Sequence, residues 1–188
     1  MQFYDYPEQP ASTATPDECE GIARALKANP AFTDFGPFSL EPYVGFNMST
    51  APPSGAAASS QRLVAEAFPE LAPSLASDLG ARLASRQPGS FRLNCPWDRW
   101  DIAFTGPDEP KAVGYVALPP PANSSDGQWL LVTGEIYLGL APEPGETDAL
   151  FRMDEFACLF ERAPNGWTLK TCAPTSLLRP VRPAPAAL

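Results

Sequence analysis

The spacing of two cysteines near the C-terminus constrains the fold more than any other feature of this sequence. Cys158 and Cys172 flank a Pro-Asn-Gly run at 164–166, which has the composition of a type I turn followed by a glycine in the left-handed conformation. A three-residue hairpin loop of this kind pairs Ala163 with Trp167. The same register places the two cysteines opposite each other, with Cβ atoms about 4.5–5.5 Å apart, where a disulfide forms with little strain. The sequence therefore predicts an oxidised β-hairpin.

Side-chain alternation assigns the two faces of this hairpin. Residues two apart on a strand point to the same side of a sheet. We expect the core face to carry Ala157, Leu159, Trp167 and Leu169. The disulfide then lies on the other face with Phe160, beneath a covering loop.

The other two cysteines predict a second bond and a cellular location. Cys19 and Cys95 remain once the hairpin is oxidised, and no two cysteines form a C-x-x-C pair, which argues against a zinc ribbon or a thioredoxin-like site. A Cys19–Cys95 disulfide indicates a periplasmic or secreted protein. The chain starts without a basic and apolar export signal, so we expect the signal to be missing from this sequence. The alternative is four buried reduced thiols in a cytosolic protein.

Composition excludes several classes of function. The chain has no histidine, which removes His-activated nucleophiles and His-ligated zinc. Its formal net charge is -9, which disfavours nucleic acid and anionic membranes and favours a basic protein partner or simple solubility. No segment reaches the roughly 20 apolar residues of a membrane span. No metal-ligand or phosphate-loop spacing occurs, so we expect no cofactor.

Helix signals dominate the first half of the chain. Thr15-Pro16-Asp17-Glu18 forms a capping box with proline at the first helical position, and Asn29-Pro30 ends the helix. A second helix starts at Ser59 or Ser60 and is interrupted by prolines at 69 and 73, which predicts two helices with a kink between them. Residues 31–57, rich in Phe, Pro and Gly, are expected to lie over the core as an irregular segment with one short strand around Tyr43–Met48.

The period changes to two after Ser90, which predicts strands. The candidate strands are 91–94, 100–105, 112–118, 129–138, 150–162 and 167–173. Consecutive strands with short polar loops favour an antiparallel meander. The predicted fold class is α+β, with two N-terminal helical segments packed on one face of a curved antiparallel sheet of about five strands. We expect an extended arm over 1–14, one domain over 15–177 and a Pro/Ala-rich tail over 178–188.

Two groups of residues are candidate sites. Trp97, Asp98, Arg99 and Trp100 combine aromatic rings with charges, a composition typical of sugar-binding sites and of protein interfaces. The structural alternative is that Trp100 starts a strand and faces the core, with Arg99 paired to a neighbouring aspartate.

The second candidate is Glu135, within an otherwise apolar strand. Paired with Asp154 or Glu155, it would provide the two carboxyls that glycoside hydrolysis needs. Carboxylates on an open sheet face are usually only solvated.

These features favour an exported, non-catalytic binding protein of the inhibitor or immunity type that masks a basic partner, such as a cell-wall hydrolase. The alternatives are a carbohydrate or small-ligand binder using Trp97 and Trp100, a carboxylate-based hydrolase, and a structural envelope domain.

Overall fold

The computed structural model describes residues 12–40, 56–85, 91–105, 114–140 and 150–174. The helices are α1 (Pro16–Ala28), α2 (Pro30–Asp34), α3 (Ala56–Ala67) and α4 (Pro73–Ala84), and a 3-10 turn covers Trp97–Trp100. The strands are β1 (Ser12–Thr13), β2 (Phe38–Leu40), β3 (Phe91–Arg92), β4 (Phe104–Thr105), β5 (Gly114–Ala117), β6 (Ala122–Asn123), β7 (Trp129–Leu140), β8 (Leu150–Ala163) and β9 (Gly166–Pro174). The α+β class is confirmed.

Helix α1 begins and ends where its sequence predicts. The Thr15 hydroxyl accepts from the Glu18 N–H at 3.2 Å, and the Glu18 carboxylate accepts from the Thr15 N–H at 2.8 Å. This capping box satisfies two N–H groups that have no partner within the helix. Asn29 ends α1 and caps α2, since its side chain accepts from the Ala31 N–H at 2.9 Å. The two helices therefore meet at a sharp corner.

The second helical region is two helices, as the prolines predict. Helix α3 ends at Ala67 and α4 begins at Pro73. Gly80 of α4 lies directly against the backbone of Gln61 in α3. The N–H of Ser125, in the turn after β6, donates to the Asp78 carboxylate at 2.7 Å. Helix α4 is thereby fixed to the sheet edge next to β6.

The main sheet is larger than predicted and mixed. Its seven strands follow the order β4-β2-β5-β7-β8-β9, with β6 paired to β7. Strand β2 runs parallel to both β4 and β5, so the sheet is not a pure meander. Phe38 lies in the segment that we expected to be irregular. It belongs to β2, the central strand of this parallel group, where its ring is 2% exposed. The predicted strand at Tyr43–Met48 lies outside the described residues.

The expectation that both helical segments share one face of the sheet is wrong. Helix α1 packs on the face that carries Leu130, Val132 and Phe160, whereas α3 and α4 pack on the face that carries Leu131 and Leu159. The reason is that β7 and β8 are apolar at consecutive positions, so each strand presents hydrophobic side chains to both sides. Burial of such strands requires a layer on each face.

The cysteines of the C-terminal hairpin pair as predicted, but its turn differs. Ala163 pairs with Gly166 and Arg162 with Trp167, so the loop is one residue shorter than the predicted one. Lys170 is left as an extra residue in the ladder, and this irregularity restores the register that sets Cys158 opposite Cys172. The shift moves Trp167 to the α1 face.

The face assignment of the hairpin is corrected accordingly. Cys158, Phe160 and Trp167 lie in the core cluster beneath α1, whereas Ala157 and Leu159 belong to the cluster beneath α3 and α4. The cover over the disulfide-bearing face is thus α1. Leu169, which we expected in the core, is 37% exposed.

Both predicted disulfides are present. Cys19–Cys95 joins α1 to the segment after β3, and its two residues are 3% and 7% exposed. Cys158–Cys172 joins β8 to β9 with Cα atoms 4.1 Å apart. Cys158 is fully buried, whereas Cys172 is exposed. The two bonds therefore differ in their access to solvent.

Arg162 connects three parts of the fold. Its guanidinium donates to the Asp17 carboxylate at 2.8 Å and to the Gly127 carbonyl at 3.0 Å. It also lies over the Trp167 ring, 4.1 Å from the ring centroid, while the indole N–H donates to the Asp17 carbonyl at 3.1 Å. A planar guanidinium suits this combination of hydrogen bonding and stacking. The start of α1, the turn before β7 and the last hairpin are thereby held together.

We expect Gly80→Ala to destabilise the protein, although alanine is the better helix former. A Cβ at this position would lie 2.5 Å from the Gln61 Cα, so α3 and α4 must separate, at a cost of about 1–3 kcal/mol. The free energy of unfolding from urea titration measures this. Ser77→Ala, at an exposed position of the same helix, is the control and should be neutral or stabilising by a few tenths of a kcal/mol. An increase in stability for Gly80→Ala would contradict the close packing.

We expect Cys158–Cys172 to be reduced before Cys19–Cys95 in the folded protein. Thiol–disulfide exchange needs access to a sulfur atom, and Cys172 is the exposed cysteine. Brief treatment with dithiothreitol, alkylation and peptide mass mapping should label Cys158 and Cys172 first. Both bonds should open together in urea. Equal labelling of all four cysteines in the native state would contradict the difference in access.

Candidate functional site

A groove of about 470 Å³ lies between the α1–α2 corner and the end of the hairpin. One wall comes from the last residue of α1 and from α2, and the other comes from β8 and the disulfide. The residues around it are Ala28, Asn29, Pro30, Ala31, Asp34, Phe35, Asp154, Glu155, Phe156, Cys158 and Cys172.

The helical wall of the groove presents an aromatic ring. Phe35 follows α2 and is 49% exposed, the most exposed of the large apolar side chains that the structure describes. Its neighbour Phe32 stacks on Phe38 at 5.4 Å between ring centroids, which anchors α2 to the sheet. Because Phe32 is anchored in this way, Phe35 is held at the groove. An exposed aromatic ring beside a cleft is typical of a binding surface.

The opposite wall carries carboxylates. Asp154 shares a strand face with Phe156 and Cys158, so it lies on the α1 side of the sheet. Glu155 also borders the groove. Asp34 contributes a third carboxylate from the helical wall.

The described border of the groove is acidic. Asp34, Asp154 and Glu155 are among the residues around it. Negative charge beside low-dielectric walls attracts cations, and the Phe35 ring offers a face on which a guanidinium or ammonium group packs. The arrangement is suited to holding a cationic side chain.

The predicted tryptophan site is largely part of the core. Trp97 and Trp100 are half-buried and pack against the cluster beneath α1, and Trp97 meets Phe104 edge-on at 5.1 Å between ring centroids. Trp100 lies in a 3-10 turn rather than starting a strand, since β4 begins only at Phe104. Arg99 lies over the Trp100 ring, 5.8 Å from the centroid.

The polar members of this group point to solvent. Asp98 and Arg99 are exposed. Glu135, the remaining predicted site residue, lies on the opposite face of the sheet from the cluster that holds the tryptophans, because it alternates with the buried Ile136. The structure does not bring the predicted site residues together.

Glu135 belongs to a different cluster. It faces Glu155 directly across the β7–β8 ladder, and the Tyr137 hydroxyl donates to its carboxylate. Tyr137 stacks on Tyr115 of the neighbouring strand at 4.4 Å between ring centroids. Burial raises the pKa of the Tyr137 hydroxyl above its ordinary value, and the hydrogen bond to Glu135 and its negative charge raise it further.

The carboxylate-hydrolase hypothesis paired Glu135 with either Asp154 or Glu155, and the structure excludes the pair with Asp154. Asp154 is opposite Ile136 and so lies on the other face from Glu135. Glu135 and Glu155 do share a face, with Cβ atoms of opposed residues about 4.5–5.5 Å apart. The Tyr137 hydroxyl donates a hydrogen bond to Glu135. We therefore interpret this arrangement as a structural contact within the sheet.

Sequence reasoning missed the groove. We expected the phenylalanines of residues 31–57 to cover the core, and Phe32 and Phe38 do so. The available signal was Gly36-Pro37 directly after Phe35, since such a pair favours a turn that holds the preceding ring away from the core. The position of Asp154 next to the α1–α2 corner depends on contacts between distant parts of the chain, which composition does not encode.

Comparisons with family models, curated proteins and solved structures find no match to this chain. Function must therefore be inferred from the groove and the sheet themselves. Within the described residues, no helix is long and apolar enough to cross a membrane, and no group of three or more Cys, Asp or Glu side chains is arranged to hold a metal ion.

Glu135→Gln should lower the pKa of Tyr137 towards its ordinary value of about 10, because it removes a negative charge next to the hydroxyl. Ultraviolet titration of tyrosinate absorbance measures this. The transition that disappears in Tyr137→Phe identifies the residue, and Glu66→Gln is the control for charge elsewhere. An unchanged Tyr137 transition in Glu135→Gln would contradict the contact.

The same shift predicts a pH dependence of stability. The pKa of Tyr137 is higher in the folded state than in the unfolded state, so the folded state holds its proton longer as pH rises. The stability contributed by this proton is complete below pH ~10 and is lost as the pH rises above that value. The loss should be smaller in Tyr137→Phe.

Proposed function

We propose that this protein is an exported, non-catalytic binding protein that masks a basic protein partner. The groove beside α2 accepts a lysine or arginine side chain of that partner. The observation that carries the proposal is the composition of the groove: the acidic residues Asp34, Asp154 and Glu155 border it, next to the exposed ring of Phe35.

The charge of the whole chain supports the same partner. The formal net charge of -9 attracts a basic protein over the range of a Debye length, about 8 Å at physiological salt. Such steering raises association rates more than it raises final affinity. The groove then supplies the local contacts that charge alone does not.

The two disulfides support an oxidising location for this binding. They join the edge strand and the first helix to the rest of the fold, and such bonds persist in the periplasm or outside the cell. A rigid framework reduces the conformational entropy lost on association.

Replacing two groove carboxylates should remove binding. Asp34→Asn with Asp154→Asn deletes two negative charges on facing walls with little change in shape, so we expect a loss of at least about tenfold in affinity. The measurement is affinity capture of basic proteins from an envelope extract, with elution by salt, followed by titration of the captured protein.

The control carries the same change of charge elsewhere. Glu66→Gln with Glu70→Gln alters α3 and the residues after it, on the opposite side of the sheet, and should retain binding apart from a slower association. If the groove variant and the control variant bind equally well, the groove is not the binding site and the proposal is wrong.

A further inference from the structure

The two ends of the Cys158–Cys172 bond differ in their environment. Cys158 is fully buried in the cluster beneath α1. Cys172 is exposed and is one of the residues around the groove. Thiol–disulfide exchange begins when a thiolate attacks a sulfur atom that it can reach. Attack on this bond is therefore directed to Cys172, from the groove.

The other disulfide preserves the fold when this one opens. Cys19 and Cys95 are 76 residues apart and both buried, whereas Cys158 and Cys172 are only 14 residues apart. In the chain-entropy model, a bond that closes a long loop restricts the unfolded chain more than a bond that closes a short loop. We therefore expect the protein to remain folded after Cys158–Cys172 alone is reduced.

The first half of β9 has anchors of its own. Trp167 is 2% exposed, and its indole N–H donates to the Asp17 carbonyl in α1 at 3.1 Å. The Lys170 ammonium lies 2.9 Å from the Glu161 carboxylate of β8. These contacts do not involve the disulfide, so this half of the strand stays on the sheet without it.

The end of β9 depends more closely on the disulfide. Cys158 and Cys172 have Cα atoms 4.1 Å apart, the close spacing of an opposed pair that exchanges no backbone hydrogen bonds. Because the two classes of pair alternate, the hydrogen bonds fall at the pairs on either side, Leu159 with Thr171 and Ala157 with Ala173. The Ala173 methyl group also packs against the cluster beneath α3 and α4. The disulfide lies at the centre of this short set of contacts.

Reduction of this bond displaces Cys172. Two thiols that are no longer bonded need more space than a disulfide, because atoms that are not bonded repel each other at bonding distance. Cys158 lies in a close-packed core and cannot move aside. The exposed Cys172 therefore moves outwards and pulls on the hydrogen bonds of Thr171 and Ala173. The groove loses part of the wall that β9 provides.

We propose that Cys172 is a thiol-exchange site through which a dithiol reductant opens one wall of the groove and releases the bound partner. The release rests on the proposed function, whereas the exchange and the opening do not. Binding in the groove and reduction of Cys158–Cys172 then oppose each other, because the partner needs the closed wall.

The exchange takes place in two steps. A thiolate of the reductant attacks the Cys172 sulfur and forms a mixed disulfide, while the Cys158 sulfur leaves with the electron pair of the broken bond and takes up the proton that the attacking thiol lost. The second thiolate of the reductant attacks its own sulfur in the mixed disulfide, and Cys172 leaves and takes up the second proton. Two electrons reduce the protein disulfide, and the dithiol is oxidised to a cyclic disulfide.

Amide hydrogen exchange of the full-length protein, followed by NMR, tests the opening. After selective reduction with dithiothreitol, the Thr171 and Ala173 amides should exchange roughly tenfold faster or more, while Leu130 in β7 keeps its protection. The double variant Cys158→Ala with Cys172→Ala should show the same pattern without reductant. Unchanged protection of Thr171 and Ala173 in both samples would overturn the opening, and so would an equal loss at Leu130, which indicates global unfolding.

Titration calorimetry with a blocked tetra-arginine peptide tests the release. The reduced protein should bind roughly tenfold more weakly or worse than the oxidised protein, because the closed groove is only a fraction of its population. Linkage makes this effect reciprocal. Saturating peptide should therefore raise, by the same factor, the ratio of reduced to oxidised dithiothreitol at which half of Cys158–Cys172 is open.

The remaining outcomes separate this inference from the proposed function. If Asp34→Asn weakens peptide binding and the control Glu66→Gln does not, but oxidised and reduced protein bind equally, the release is wrong and the proposed function stands. If both variants bind the peptide equally well, the proposed function is wrong and the release falls with it. The exchange rates of Thr171 and Ala173 then decide the opening on their own.

Discussion

The ladder between β7 and β8 is the interaction on which the rest of the structure depends. It runs from Trp129 opposite Glu161 to Leu140 opposite Leu150, and its central residues are apolar on both faces. Leu130 and Leu131 are each fully buried, although they point to opposite sides. Because neither face can be left in water, one helical layer is required above the sheet and another below it. The three-layer architecture follows from this two-sided burial.

Local signals predicted α1, the division between α3 and α4 and the pairing of the cysteines, because their causes are local, whereas α2 lies in the segment that we expected to be irregular. The capping box at Thr15 and the prolines at 69 and 73 act within one helical turn, and the structure confirms the boundaries that they indicate. The side of the sheet on which each helix packs is not local. A strand that is apolar at every position looks the same from both faces, so the choice depends on connections through the whole chain.

In the C-terminal hairpin, two departures from the predicted register compensate each other. The turn is one residue shorter than Pro-Asn-Gly chemistry predicts, and the extra residue at Lys170 compensates before the cysteines are reached. Alternation is a strict rule only while the ladder is regular. The cysteine pair was therefore predicted correctly, whereas Trp167 was assigned to the wrong face. In the structure, the Arg162 guanidinium lies over the Trp167 ring, and the indole N–H donates a hydrogen bond to the Asp17 carbonyl in α1.

The groove depends on two features that hold its walls together. Asp154 and Glu155 of β8 border the groove, next to the corner that Asn29 creates between α1 and α2. A straight α1 would carry Phe35 away from this part of β8. The disulfide fixes β9 to β8 at the groove, since Cys158 and Cys172 are both among the residues around it. The groove therefore exists only while the helix corner at Asn29 and the Cys158–Cys172 bond are both in place, because each of them holds one of its two walls.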